Sequence, residues 1–193
     1  PKFRNLWHHI RNRMPKRGRG KTTKLDPLEI PPELQTALEA LYGHYKQTYD
    51  LWENEGMKIP PCFIIVCQNT AVSKLVYDYI SGYFRENEDG TSTLENGRLP
   101  LFRNYDEHET PLDRPRTLLI DSEQLESGEA LESNFRKMAA DEIERYRRDI
   151  IERTGDPKQA ENLSDQDLLR EAMNTVGKEG RLGASIRCVV SVS

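Results

Sequence analysis

The sequence predicts an α/β protein in which helices flank an open, mostly parallel sheet. Three short apolar runs indicate the strands, at residues 62–67, 117–120 and 186–192. The runs are short and two of them are rich in β-branched residues. Because they lack the polar alternation of a half-exposed strand, each is predicted to be buried on both faces. Helical periodicity between them favours right-handed crossovers, which would place all three strands in one parallel sheet.

Four helices are predicted from apolar residues that recur every three or four positions. The first runs from about residue 33 to 55, and the second from about 70 to 84, where Asn69 is a candidate N-cap. The third covers about residues 131–153. The fourth runs through Val176 after Ser164, which opens a Ser-x-x-Asp pattern resembling a capping box.

Two segments depart from this pattern and set the expected domain organisation. Residues 1–32 are predicted to form a basic linker or arm, with a short helix possible around residues 3–14. Residues 33–193 are predicted to form one partial domain. Within it, residues 85–115 are charged and turn-rich, which predicts an irregular insertion with a small strand at about residues 99–102.

The charge is distributed unevenly along the chain. The net charge is −4, but residues 1–24, which we call the basic segment, hold nine Lys and Arg and no acidic residue. The remainder holds 19 basic and 32 acidic residues, a balance of −13. Such asymmetry is typical of an arm that meets nucleic acid or an acidic partner. A solvated linker would show the same composition, and charge alone leaves both interpretations open.

Composition excludes several classes of protein. No run of 18 apolar residues occurs, so no transmembrane helix is predicted, and no secretory leader is recognised. Three cysteines without CxxC spacing disfavour a disulfide scaffold or zinc ribbon and favour a cytoplasmic location. The chain starts at Pro1 and stops just after an apolar run, which predicts a fragment of a larger protein.

Two stretches offer weak signals for catalytic or metal chemistry. Residues 18–22 resemble the tail of a phosphate loop, but Pro15 stands where the pattern GxxxxGK[ST] requires glycine. A flexible basic linker is the preferred interpretation. Asp121 and Glu123 follow a predicted strand and could hold Mg²⁺, although Asp and Ser also cap helices. No catalytic residue and no metal ligand is predicted.

The polar turn Gln68-Asn69-Thr70 is the most suggestive candidate site. It lies at the carboxyl end of a predicted strand, where open α/β sheets bind ligands. The helix that follows would offer free N–H groups and its dipole to a phosphate, with Lys74 close to its start. The alternative is that Asn69 simply caps the helix.

Several stretches resemble one family of DNA motors. They are residues 60–71, 73–77, 118–128, 165–177 and 186–193, and they are similar to the motor subunit of bacterial restriction–modification systems. The resemblance is closest to the Res subunit of type III enzymes and to related type I R proteins, which belong to helicase superfamily 2. It covers most of residues 30–193.

The resemblance implies a fold and a set of partners. It implies a partial RecA-like sheet, namely the linker into the second motor domain and that domain's first half. Residues 63–70 resemble helicase motif IV, and residues 186–193 resemble the strand that leads to motif V. The parent would be a DNA-dependent ATPase and endodeoxyribonuclease that uses ATP and Mg²⁺, acts on double-stranded DNA and partners a methyltransferase subunit. Motifs I, II, V and VI are absent here, so no cofactor is expected in this fragment.

The expected nucleic-acid contacts form two groups. The resemblance to motif IV implies that Asn69 and Thr70 contact backbone phosphate. The full set of expected contacts is Gln68, Asn69, Thr70 and Lys74 at the turn, with Arg11, Arg13, Arg17 and Arg19 in the basic segment. The alternative function is a stand-alone nucleic-acid-binding module that uses the basic segment without a parent motor.

We expect this chain to hydrolyse no ATP, with or without DNA. The phosphate-loop-like stretch has Pro15 in place of its first glycine, and the resemblance includes neither motif I nor motif II. Phosphate release measured with and without duplex DNA checks the expectation, with Lys21→Ala as the matched variant. DNA-stimulated release that this variant abolishes would contradict the linker interpretation of residues 18–22.

Overall fold

The computed structural model describes residues 3–15, 26–120, 136 and 139–192. In chain order, the elements are α1 (Leu6–Ile10), α2 (Pro32–Asn54), β1 (Phe63–Cys67), α3 (Thr70–Ser81), β2 (Gly82–Glu86), β3 (Ser92–Asn96), β4 (Thr117–Ile120), α4 (Ala140–Thr154), α5 (Pro157–Glu161), α6 (Asp165–Asn174) and β5 (Cys188–Val192). Short 3₁₀ turns lie at Arg11–Arg13, Pro27–Glu29 and Pro100–Phe102.

The main sheet has three parallel strands in the order β1-β5-β4. Phe63 and Thr117 are both register partners of Cys188, so the three strands start at the same level. Helices pack on the sheet, which confirms the predicted α/β class with a parallel sheet flanked by helices. The last strand in the chain is the central strand of the sheet, since β1 and β4 each pair with it.

Alternate residues of the strands face two separate hydrophobic clusters. Cys188 and Val190 of β5 lie in the first cluster with residues of α2 and α3. Val189 lies in the second cluster, together with Leu118 of β4 and residues of α4, α5 and α6. This alternation follows from the pleat of the strand, which directs successive side chains to opposite faces.

The prediction that every strand is buried on both faces is wrong for β1. Ile64 and Val66 are 66% and 63% exposed, while Phe63, Ile65 and Cys67 face the first cluster. Within the described residues β1 lies at one edge of the sheet, and the second cluster covers β4 and β5 but not the outer face of β1. The apolar run therefore predicted the strand correctly, but it did not predict that one face of the strand is exposed.

The predicted insertion is partly ordered as a hairpin. Helix α3 ends at Ser81 rather than at residue 84, because Gly82 adopts φ 102° and starts β2, which pairs antiparallel with β3. The strand expected at residues 99–102 is instead a 3₁₀ turn, whose Phe102 is fully buried. Its ring lies 4.7 Å from the ring of Tyr45, measured between centroids. This contact anchors the insertion in the core.

Asn104 connects the insertion to the first residues of β4. Its Oδ1 accepts hydrogen bonds from the backbone N–H groups of Arg116 and Thr117, at 2.9 and 3.0 Å. Its Nδ2 donates to the carbonyl of Thr117 and to the hydroxyl of Tyr77, at 2.9 and 3.0 Å. One amide side chain therefore fixes the amino end of β4 against α3.

The later helices follow the sequence prediction in part, and the short helix α5 was not predicted. The third predicted helix ends at Thr154, close to the expected residue 153, but it begins at Ala140 after a turn at Ala139 and so does not run unbroken from residue 131. Its expected start at residues 131–135 lies outside the described residues. Ser164 and Asp167 form the predicted capping box at the start of α6, with both reciprocal hydrogen bonds present. Within the described ranges, no helix has the length and apolar character needed to cross a membrane.

A pair of glycine substitutions tests how residues 92–97 pack on α3. A Cβ on Gly97 would lie 2.1 Å from the carbonyl oxygen of Ile80, so Gly97→Ala should lower the free energy of unfolding by about 1–3 kcal/mol. A Cβ on Gly43, within α2, would meet no neighbouring part of the described chain within 4 Å. Gly43→Ala should therefore raise stability by roughly 0.5–1 kcal/mol through helix propensity. Urea unfolding measures both, and a tolerated alanine at residue 97 would contradict this packing.

Candidate nucleic-acid interface

Two residues connect β1 to α3, and the second of them, Asn69, caps the helix. Asn69 has an extended backbone, with φ −159° and ψ 166°, and its Oδ1 accepts the N–H of Val72 at 2.9 Å. This bond satisfies one of the N–H groups that the first helical turn leaves without an internal partner. The predicted N-cap role of Asn69 is confirmed.

The other polar atom of Asn69 binds the basic segment. Its Nδ2 donates to the carbonyl oxygen of Pro15 at 3.2 Å, and the residue is only 8% exposed. Both polar atoms of the side chain are thus occupied within the chain. That Asn69 contacts phosphate stays a prediction, and beside the bond to Pro15 such a contact would use the second N–H of Nδ2.

The exposed groups at this turn are the neighbours of Asn69. Gln68 and Thr70 are both exposed, one on each side of the capping residue. Lys74, on the next helical turn, forms an ion pair with Asp78. Burial raises the pKa of the Asp78 carboxyl, whereas the charge of Lys74 acts in the opposite direction. Lys74 is therefore partly neutralised, and the turn itself presents polar groups and the N-terminus of α3.

The described part of the basic segment is folded against the domain. Ile10 and Met14 are 2% and 4% exposed and belong to the first hydrophobic cluster. Arg11 and Arg13 on the same segment are exposed, and Arg13 pairs with Glu33 at 2.7 Å. Arg11 precedes Pro15 by four residues, so its backbone lies within about 14 Å of the Asn69 contact.

The remaining members of the predicted site lie outside the described residues. Arg17 and Arg19 are among residues 16–25, as is the phosphate-loop-like stretch. The structure thus brings Gln68, Asn69 and Thr70 together with Pro15. Sequence reasoning missed this contact, because the two partners are 54 residues apart and a carbonyl acceptor leaves no side-chain signature.

The structure also locates the residues considered for metal binding and the two cysteines of the first predicted strand. Asp121 and Glu123 lie outside the described residues, and no group of three or more metal-ligating side chains occurs within residues 3–15, 26–120 and 139–192. Cys67 is buried as predicted, and burial raises the pKa of its thiol to about 11. Cys62 precedes β1 and is exposed, contrary to the prediction that both cysteines lie in a buried strand.

Comparisons with known proteins identify no relative of this chain. No protein-family model matches it, and neither the curated proteins nor the solved structures provide a match. The resemblance to restriction motor subunits therefore stays a prediction.

Substitutions of Asn69 separate its two hydrogen bonds. Asn69→Ala removes both and should lower the free energy of unfolding by about 1–2 kcal/mol. Asn69→Asp keeps an acceptor for Val72 and adds a charge that favours the helix N-terminus, but it places a carboxylate oxygen against the Pro15 carbonyl. It should lower stability less than Asn69→Ala. Urea unfolding measures the difference.

The same two variants test whether Asn69 holds the basic segment. Both should speed trypsin cleavage after Arg13, because both lose the donor to Pro15. Asn174→Ala, at an exposed position on α6, is the control and should change stability by no more than about 0.5 kcal/mol. Cleavage as slow in Asn69→Asp as in the unmodified chain would show that the contact with Pro15 is unimportant.

Proposed function

We propose that this chain is part of an ATP-driven DNA translocase of the restriction–modification type, in which it contributes contacts to the DNA backbone. It would form part of a second RecA-like motor domain. The order of the elements supports the proposal. The stretch that resembles motif IV coincides with β1 and the β1–α3 turn, and the stretch that resembles the approach to motif V coincides with β5.

The hydrogen bond from Asn69 to Pro15 is the observation that carries the proposal. It joins the basic segment to the N-terminus of α3, the place where an α/β sheet offers N–H groups to phosphate. Positive charge and helix N-termini are the groups that bind a nucleic-acid backbone without reading its sequence. Gln68, Thr70 and Arg11 are exposed, and we expect their side chains to take part.

The motifs that the resemblance includes determine which functions we assign to this chain and which to the rest of the parent complex. This chain would hold and position the strand, while ATP and Mg²⁺ would bind at motifs elsewhere in the parent subunit. Sequence recognition would belong to the methyltransferase partner. Backbone contacts suit a motor, because a translocase must hold every sequence that it passes.

A stand-alone nucleic-acid-binding module is the second candidate. The contrast between a charge of +9 in residues 1–24 and −13 in the rest favours it, since the charge alone supplies non-specific affinity. The adjoining coding sequence distinguishes the two. A motor requires motifs I and II upstream and motifs V and VI downstream, whereas an independent module has neither.

DNA binding by the 193-residue chain tests the role of the basic segment. Affinity for fluorescent duplex DNA should be weak and should fall steeply with salt, by a slope of about 0.9 for each phosphate contacted. The test variant changes five basic residues to glutamine, at Lys16, Arg17, Arg19, Lys21 and Lys24. A matched control changes five exposed basic residues elsewhere, at Arg148, Arg153, Lys158, Arg170 and Lys178.

The two variants should behave differently. Neutralising the basic segment should weaken binding about tenfold or more and flatten the salt slope, whereas the control should change affinity by less than about twofold. Substitution is used because deletion of residues 1–24 would also remove Ile10 and Met14 from the core. Equal affinity of both variants would contradict the role of the segment.

Gln68 and Thr70 are tested in the full-length subunit. Changing both to alanine should impair DNA-stimulated ATP turnover there, because the two motor domains would hold the strand jointly. Asn69 is left unchanged, so the cap of α3 is kept. Normal turnover in the double variant would remove the β1–α3 turn from the proposed DNA path.

A further inference from the structure

A second concentration of basic residues lies at the edge of the sheet opposite the β1–α3 turn. Parallel strands share their amino ends, and Arg116 and Arg187 immediately precede β4 and β5. An open cleft of about 470 Å³ lies there, between the C-terminal half of α2 and the segments 112–116 and 184–187. Its four basic and two acidic residues are Lys58, Arg114, Arg116, Arg187, Glu53 and Asp113.

The backbones of the two strand-starting arginines are bonded to each other. The carbonyl oxygen of Arg116 accepts the N–H groups of Arg187 and Cys188, at 2.7 and 3.0 Å. The N–H of Arg116 is held in turn by Asn104, and the carbonyl of Arg187 accepts the N–H of Phe63 at 2.8 Å. These backbone hydrogen bonds fix the positions of the Cα atoms from which the two arginine side chains extend.

Neutral groups hold the guanidinium of Arg187. Its central carbon lies 4.8 Å from the centroid of the Tyr49 ring, and its Nη1 donates to the carbonyl of Leu101 at 3.3 Å. The Tyr49 hydroxyl donates to a carboxylate oxygen of Glu53 at 3.1 Å, which keeps the ring in position. Arg187 is therefore oriented in the cleft without neutralisation of its charge.

Arg116 and Arg187 differ from the other two basic residues of the cleft. Arg114 pairs with Glu142 at 2.6 Å, and Lys58 pairs with Glu179 at 2.8 Å. Within the described part of the chain, no carboxylate lies within ion-pair distance of Arg116 or Arg187. Burial lowers the pKa of Arg116, and the charge of Arg187 lowers it further. An anion between the two would favour the charged form of both guanidinium groups and so oppose this lowering.

We propose that the cleft between Arg116 and Arg187 binds a phosphate oxyanion, carried either by a small phosphorylated molecule or by a polynucleotide backbone. Each guanidinium offers a planar fork of donors that matches two oxygens of a phosphate. A phosphate has enough oxygens to give each fork its own pair or a nearly separate one, whereas two arginines on one carboxylate must share its two oxygens. This site is separate from the β1–α3 turn and does not depend on the proposed motor function.

Calorimetric titration with pyrophosphate tests the site. The chain with its five basic residues at positions 16–24 changed to glutamine is used throughout, so that the basic segment does not contribute. In that background Arg116→Gln and Arg187→Gln should each weaken binding about tenfold or more, because each removes one charged fork. Arg148→Gln, at an exposed position on α4, should change affinity by less than about twofold. Equal binding by all four proteins overturns the proposal, as does an absence of pyrophosphate binding at millimolar concentration.

Nuclear magnetic resonance of the unchanged arginine side chains tests the site even if a variant fails to fold. The Nε–Hε resonances of Arg116 and Arg187 should both shift as pyrophosphate is added, and those of Arg148 should not. Arg187→Lys keeps the charge but loses the fork and the stacking on Tyr49, so its affinity should fall between those of the unchanged arginine and the glutamine variant. Resonances that do not move at saturation overturn the assignment.

Competition with duplex DNA distinguishes the two sources of phosphate. If DNA displaces pyrophosphate, and Arg116→Gln weakens both ligands, the cleft holds a polynucleotide backbone. If DNA leaves pyrophosphate in place, the ligand is a small phosphorylated molecule. Both results support the cleft, and neither depends on the outcome for the basic segment.

Discussion

The central position of β5 is the constraint on which the rest of the structure depends. Residues 188–192 pair with β1 on one side and β4 on the other, and the partner positions Phe63 and Cys188 are 125 residues apart. Cys188 and Val190 complete one hydrophobic cluster, while Val189 completes the other. Without β5 the two outer strands would have no partner among the described strands, and neither cluster would be closed. Forming this sheet therefore requires a long loop to close before its contacts can stabilise it.

The arrangement of the strands produces two polar edges with different chemistry. At the carboxyl edge, Asn69 caps α3 and holds Pro15, so exposed polar groups lie beside the basic segment. At the amino edge, Arg116 and Arg187 are adjacent only because β4 and β5 are neighbours. The first edge combines a helix N-terminus with positive charge, and the second combines two guanidinium groups that pair with no carboxylate of the described chain. Both arrangements suit phosphate for separate physical reasons.

The candidate site was only partly predictable from the sequence. Asn69 was predicted both as an N-cap and as a phosphate contact, and the structure confirms the cap. Its second bond, to Pro15, was not predicted and attaches the basic segment to the domain. Ile10 and Met14 of the same segment are buried, as they would not be in an exposed linker. Local pattern identifies a cap reliably, since a cap acts within three residues. It contains no information about an acceptor that belongs to another part of the fold.

The sequence by itself determined the three parallel strands and most of the longer helices, and how several of them begin, but it missed the β2–β3 hairpin and α5. Local rules are sufficient there, as with the capping box of Ser164 and Asp167, because the interacting groups are close in the chain. Only the tertiary structure decided that Ile64 and Val66 are exposed, and that Arg116 lies beside Arg187. These features depend on the order of the strands and on which helices cover them. That order is set by pairing between residues far apart in sequence. Helical and strand periodicities report only on neighbouring residues and do not indicate which strands pair.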